Sequence, residues 1–168
     1  MKSQRQKVNS RVSEVAQGVY SIGLDIGYGV VKVVTATTTL AFPSVMGHAR
    51  QINYQQEALS ARYPGDQIAD DDGTWFVGEL ALGQLPPGDI LRLRGRTANE
   101  DVMGNAFRLR LAKVAIGKLF GAQVQPGEVV HLRIGTGLRV DHMRDAAALK
   151  QALLARRFRK SLKSFKRR

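Results

Sequence analysis

A chain of 168 residues is long enough for one domain with its own hydrophobic core, and its 43% hydrophobic and 24% charged residues are an ordinary globular composition. The absence of cysteine excludes a disulfide framework, a thiolate metal site and a cysteine nucleophile. No run of about 18 apolar residues follows the polar N-terminus, so the sequence predicts neither a membrane span nor a signal peptide and favours the cytoplasm.

The net charge of +12 is concentrated at the two ends of the chain. Residues 1–18 are polar and carry a net charge of +3, and residues 155–168 carry eight basic residues and no acidic one. The segment between them is therefore almost neutral, at +1. We predict a flexible basic arm (1–18), a folded domain (19–154) and a basic tail (155–168).

The domain begins with short β-branched segments. Residues 19–26 and 30–36 are separated by a glycine-containing bend, which predicts a β-hairpin. Residues 37–42 predict a third short strand, which ends at Pro43 because proline cannot donate to a ladder.

The middle of the chain predicts a loop followed by a second hairpin. Residues 47–69 show no sustained period and contain a Pro-Gly pair, so we expect mostly loop. Asp71-Asp72-Gly73 suits a tight turn between residues 68–69 and 75–77. A short helix over 79–84 is expected to follow.

The strongest helix signal comes next. Thr97 and Glu100 have the spacing of a capping box, and the apolar residues that follow predict a helix over 98–120 ended by Gly121. This helix is expected to bury more than one side, because three apolar residues lie off its main stripe: Leu109, Ile116 and Leu119.

The last part of the domain predicts one strand and one helix. Residues 128–134 are rich enough in aliphatic side chains to predict a central strand. Asp141 is in position to cap a final helix that runs to residue 154.

The candidate functional site is the bend between the first two strands, Gly23-Leu24-Asp25-Ile26-Gly27-Tyr28-Gly29-Val30-Val31-Lys32. Glycines can adopt backbone angles closed to other residues, so that successive N–H groups surround anionic oxygens. Lys32 would add a positive charge, and Asp25 would hold a hydrated Mg²⁺. The plain alternative is an ordinary hairpin bend with Lys32 in solvent.

Three segments in order resemble one family. The Asp, Gly-x-Gly and Lys pattern of residues 25–32 resembles the first phosphate motif of actins, Hsp70s and sugar kinases, and its Gly-Leu-Asp-Ile-Gly-Tyr-Gly form resembles ParM and archaeal actin-like proteins. Residues 72–81 resemble the hairpin that ends in the family's VGE-x-A signature. Residues 129–141 resemble its TGLPV strand and loop, with Arg139 where the family commonly has proline.

The resemblance implies an α/β fold of the actin-like, ribonuclease-H-like type, of which this chain would be the first subdomain. Its mixed sheet would contain three antiparallel strands and one parallel strand, with helices packed on it. It implies ATP, or GTP, with Mg²⁺ as ligand. The backbone of Gly27, Tyr28 and Gly29 would bind the β- and γ-phosphates, Lys32 would contact them, and Asp25 would hold metal-bound water.

Intact relatives are filament-forming ATPases that move plasmids or organise cell contents. The second phosphate motif, the residue that orients water and the adenosine-binding glycines do not occur here, so the chain is expected to be truncated. Because phosphoryl transfer needs groups on both sides of the phosphate, we expect weak nucleotide binding, no hydrolysis by this chain alone and no catalytic residue. Two protein partners are expected: a second copy of the chain through self-association, or another chain that supplies the missing C-terminal half.

A different class of function stays open, a non-enzymatic nucleic-acid-binding protein. The basic tail would contact DNA, or an anionic membrane, in a salt-dependent way. Alternatively, it is the low-complexity end of a truncated or frame-shifted reading frame. The candidate contact residues are Arg156, Arg157, Arg159, Lys160, Lys163, Lys166, Arg167 and Arg168.

Two other groups of residues predict no site. The three histidines, His48, His131 and His142, are far apart in the sequence and lack the spacing of a metal site. Asp70 and Asp72 superficially match a calcium loop, but the first ligand position is Ile68, so we predict an acidic turn.

Overall fold

The first sheet is built from the strands predicted at the start of the domain. The computed structural model describes residues 19–50, 61–93, 100–121, 124, 129–137 and 146–154. Within them the antiparallel ladder of the first three strands is confirmed, and a later strand pairs in parallel with the first, giving the order β3-β2-β1-β8. These strands are β1 (Val19–Ile26), β2 (Val30–Val34), β3 (Thr39–Pro43) and β8 (His131–Thr136).

A second sheet follows directly, with the order β5-β6-β4-β7. Its strands are β4 (Val45–His48), β5 (Gln67–Asp70), β6 (Gly73–Val77) and β7 (Leu91–Arg92). The predicted hairpin is β5–β6, with Asp70 opposite Gly73. The prediction of loop over 47–69 is wrong for residues 47–48, which belong to β4, because this strand of four residues is stabilised by pairing with β6 and β7 rather than by a pattern of its own. Residues 51–60 of the predicted loop lie outside the described residues.

The predicted helices are confirmed in the described residues. They are α1 (Gly78–Gln84), α2 (Glu100–Phe120) and α3 (Ala146–Leu154), with a 3-10 turn at Pro87–Asp89. The capping residues proposed for α2 and α3, Thr97 and Asp141, lie outside the described residues. All three residues off the main stripe of α2, Leu109, Ile116 and Leu119, are buried, so this helix does bury more than one side.

Helix α2 joins the two sheets through the main hydrophobic core. Its buried face, centred on Leu111 and Ala115, packs in one cluster with Ile22 and Val31 of the first sheet and with Trp75 of the second. The opposite face of the second sheet is covered by α1 in a smaller cluster: Val45, Phe76, Leu80, Ala81 and Leu85. The second sheet therefore lies between two helices.

The other face of the first sheet is open in the described part of the chain. Side chains alternate along β1 and β2, so that Leu24 and Val31 are buried whereas Asp25 and Lys32 are exposed. Strand β8 alternates as well, and it lies at the edge of the described sheet with Arg133 exposed. Among the described residues β8 has a neighbour on one side only, β1, so the predicted central position is not seen in the described sheet.

The acidic turn of the second hairpin binds a buried arginine of α2. Nε of Arg110 donates to Oδ2 of Asp70 at 2.6 Å, and its terminal nitrogen pairs with Asp72. The guanidinium carbon lies 4.1 Å from the ring centroid of Trp75, whose Nε1 donates to Asp70 Oδ1 at 3.2 Å. This confirms an acidic turn and shows its role, which is to hold α2 against the second sheet.

Acid is expected to weaken this contact through Asp70. Burial, the largest single influence, raises the pKa of the Asp70 carboxyl, but the hydrogen bond and charge of Arg110 together with the hydrogen bonds from the Asp72 N–H and Trp75 outweigh it and hold the pKa below its ordinary value. The unfolded chain therefore binds the proton first, so the stabilisation is complete above the unfolded pKa and is lost as pH falls through the folded pKa.

The measurement is urea unfolding at a series of pH values from about 6 to about 3. Asp70→Asn should flatten the acid limb of the stability curve. Asp71→Asn is the matched control, since Asp71 is exposed at the same turn. Equal slopes for both variants would contradict the assignment.

None of the helices in the described ranges is both long and apolar enough to cross a membrane.

Candidate functional site

The hairpin β1–β2 places Asp25 and Lys32 directly opposite each other. They are Cα partners in the antiparallel ladder, so both side chains project from the open face of the first sheet. Both are exposed, and within the described part of the chain neither forms an ion pair. The carboxylate and the ammonium group are therefore available to a ligand at one end of the hairpin.

The backbone of the bend differs from the prediction in one respect. Neither Gly27 nor Gly29 has a positive φ, so the glycines are not there to adopt a left-handed conformation. Gly27 is required by a close approach, because a Cβ there would lie 3.0 Å from the Val30 carbonyl oxygen. Its N–H donates to that same carbonyl at 3.1 Å, which closes the loop 27–29.

Gly29 is required neither by its backbone angles nor by its neighbours. A Cβ added there would have no atom within 4 Å in the described structure, and the residue is exposed. Its N–H donates to no backbone acceptor in those residues, whereas its carbonyl accepts a bond from the N–H of Ser44 at 2.9 Å. Open space and a donor beside Asp25 and Lys32 are what an incoming anion needs.

Ser44 contacts the loop 27–29, and the sequence pattern did not indicate this contact. It is the one residue between β3 and β4, and its N–H ties Gly29 to the junction of the two sheets. The only signal in the sequence is a lone polar residue between Pro43 and the apolar Val45-Met46.

The parallel strand brings a second loop to the same edge of the sheet. Leu24 lies beside Thr136 in the register of β1 and β8, so the carboxyl ends of both strands lie together next to the bend. Thr136 and Gly137 are exposed there, and the rest of the predicted TGL loop lies outside the described residues. In open α/β sheets this edge is where ligands bind.

The residues present fit a hydrated divalent cation better than a directly ligated one. Nowhere among the described side chains do three or more His, Asp or Glu residues converge on a metal position. A single exposed carboxylate such as Asp25 suits Mg²⁺, which keeps several waters and binds phosphate oxygens. The eight basic residues of the predicted nucleic-acid contact, 156–168, lie outside the described part of the chain.

Comparison with known proteins identifies the fold. No curated protein matches the chain significantly. The crystal structure of apo pSK41 ParM superposes with a TM-score of 0.54 at 21% identity, over 83% of this chain and 43% of that one. A ParM filament structure from Clostridium botulinum gives 0.52 at 21% identity, over 81% and 39%.

These likenesses establish an actin-like fold of the ParM type, and the chain spans less than half the length of either structure. The profile of the family described as "Actin like proteins N terminal domain" matches residues 23–167. The match includes the bend between β1 and β2 and extends into the basic residues after 155. This chain therefore belongs to the actin-like proteins and corresponds to their N-terminal domain.

Proposed function

We propose that this chain binds the phosphates of a magnesium nucleotide, ATP or GTP, at the loop 27–29, as the phosphate-binding part of an actin-like ATPase. The observation that carries the proposal is that Asp25 and Lys32 are exposed, form no ion pair with the described residues and lie on the same hairpin as the open side of Gly29. An isolated hairpin bend would not need a glycine at a position with a negative φ and empty space around it.

Each residue has a defined part in this proposal. The N–H of Gly29, with the backbone of Tyr28, donates to phosphate oxygens, and Gly27 joins them once its bond to Val30 is replaced. Lys32 neutralises phosphate charge, and Asp25 orients metal-bound water. When bound, Mg²⁺ would offset the negative charge of the phosphates.

Binding of Mg·ATP, measured by calorimetry in moderate salt, tests the two side chains. Lys32→Ala and Asp25→Asn should each weaken binding about 10-fold or more, because each removes a charged partner of the ligand. Lys150→Ala is the matched control, since Lys150 is exposed on α3 and lies away from the bend in sequence. No binding by the wild type at millimolar nucleotide would overturn the proposal.

The loop itself is tested by filling the space at Gly29. Gly29→Val should abolish measurable binding while changing the free energy of unfolding by less than about 0.5 kcal/mol, because the residue is exposed and no described atom lies within 4 Å of an added Cβ. Gly88→Val is the control, as Gly88 also has nothing within 4 Å of an added Cβ. Unimpaired binding by Gly29→Val would place the ligand elsewhere.

The wider role is also a proposal. The actin-like fold favours a part in a filament of the cytoskeletal or plasmid-segregation type, and one similar structure is a ParM filament. We expect no hydrolysis by this domain alone, because the groups described lie on one side of the phosphates only. The open face of the first sheet and the edge of β8 are the surfaces on which a second copy or a complementing half would pack.

A further inference from the structure

Ser44 has a buried hydroxyl group to which the described residues offer no hydrogen-bond partner. Its side chain is fully buried, and within the described part of the chain no donor or acceptor lies in bonding position to Oγ. Folded proteins leave few buried polar groups unpaired, and each exception calls for a physical explanation.

The other buried polar side chains of the described residues are explained by their partners. Arg110 bonds to Asp70 and Asp72, and Asp66 pairs with Lys118 and accepts the Leu80 N–H. Ser44 has no comparable role in the packing. The contacts of the described residues therefore do not explain why a hydroxyl group is present at this buried position.

The position of Ser44 supplies an explanation. It is the only residue between β3 of the first sheet and β4 of the second, and its N–H donates to the Gly29 carbonyl at 2.9 Å. The hydroxyl group therefore belongs to the residue that directly holds the proposed phosphate loop. A hydroxyl rotates freely and can donate or accept, so it can follow a peptide group that changes direction.

We propose that Ser44 is a positioning residue for the loop 27–29, and that its hydroxyl gains a hydrogen bond to the loop backbone when an anionic ligand is bound; the inference rests on the proposed function. Turning loop N–H groups toward phosphate oxygens also turns the linked carbonyls. A hydrogen bond that forms only in the bound conformation stabilises that conformation relative to the free one. It therefore increases the affinity for the ligand.

The test is Ser44→Ala, with two readouts that should move in opposite directions. Without ligand, the melting temperature should rise by about 2–4 °C, because an unpaired buried hydroxyl is removed. The Kd for Mg·ATP should rise roughly 3- to 10-fold, because the bond of the bound loop is lost. A residue with a purely structural role would lower both stability and affinity.

Two further variants serve as controls for side-chain volume and for position. Ser44→Cys keeps a side chain of similar size but replaces the hydroxyl with a weak hydrogen-bond donor. It should weaken binding as alanine does, and that loss could not be attributed to a cavity. Ser21→Ala removes an exposed serine of β1 and should change neither readout. Mg·tripolyphosphate, tested in parallel with Mg·ATP, should show the same dependence on Ser44 if phosphate oxygens are what the loop binds.

The outcomes separate this inference from the proposed function. A lower melting temperature for Ser44→Ala would show that the hydroxyl is already bonded without ligand, which overturns the inference. Wild-type binding with an unchanged Kd in Ser44→Ala and Ser44→Cys would overturn it while leaving the phosphate site intact. Failure of the wild type to bind either ligand would overturn the proposed function and this inference with it.

Discussion

Replacement of Arg110 by methionine is expected to destabilise the protein by about 3 kcal/mol, because it leaves the carboxylate of Asp70 without its cation in a poorly solvated position. The side chains of Arg110 and Asp70 are 10% and 15% exposed, whereas that of Asp72 is 70% exposed and regains water. Most of the loss should therefore come from the pair with Asp70. The packing of the guanidinium on Trp75 is lost as well.

Urea unfolding followed by tryptophan fluorescence is the appropriate measurement, because Trp75 is the single tryptophan of the chain and lies in this cluster. The double variant with Asp70→Asn should recover part of the loss, since it removes the unpaired charge.

The matched control is Arg50→Met, which breaks the pair of Arg50 with Asp89. Those side chains are 59% and 42% exposed, so the cost should be under about 1 kcal/mol. A similar small cost for Arg110→Met would contradict the role given to the buried pair.

Asp66→Ala is expected to lower the free energy of unfolding by about 3–5 kcal/mol. The Asp66 carboxylate is 2% exposed, pairs with Lys118 of α2 and accepts the Leu80 N–H at 3.3 Å in the first turn of α1. The substitution leaves the Lys118 side chain, which is 19% exposed, with two partners among the described residues: the Pro64 carbonyl at 3.3 Å from Nζ and the Phe42 ring, whose centroid lies 5.6 Å from Nζ. It also removes an anion from a helix N-terminus.

Asp89→Ala provides the control for this variant, because it removes the carboxylate of the exposed pair with Arg50. The free energy of unfolding should be measured for both variants by urea titration, with circular dichroism reporting the helices. Equal losses would mean that the position of Asp66 between α1 and α2 has no special importance for stability.

Much of the candidate site was predictable because it is local. Asp25 and Lys32 lie within eight residues, and a hairpin with a three-residue bend brings them opposite each other whatever surrounds it. The sequence did not predict why the bend contains glycine at positions 27 and 29. Gly27 is required by the nearness of the Val30 carbonyl and Gly29 by no neighbour at all, and neither fact can be read from residue types.

Contacts between distant residues could not be predicted. Arg110 stands among apolar residues of α2, and only the fold brings it to Asp70 and Asp72 of the second hairpin. The junction at Ser44 was missed for the same reason, since it depends on β3 and β4 belonging to different sheets.

The sequence by itself determined the elements with a strong local period, namely the hairpins β1–β2 and β5–β6 and the helices α2 and α3, because apolar spacing and turn residues act over a few neighbours. It also determined the family, through a bend whose chemistry lies in consecutive residues. Only the tertiary structure decided that β4 is a strand, that β8 lies at an edge of the described sheet beside β1, and that one helix joins two sheets. Those outcomes depend on strand pairing and burial between segments that are distant in the sequence. These interactions contribute free energy only after the chain has brought the segments together.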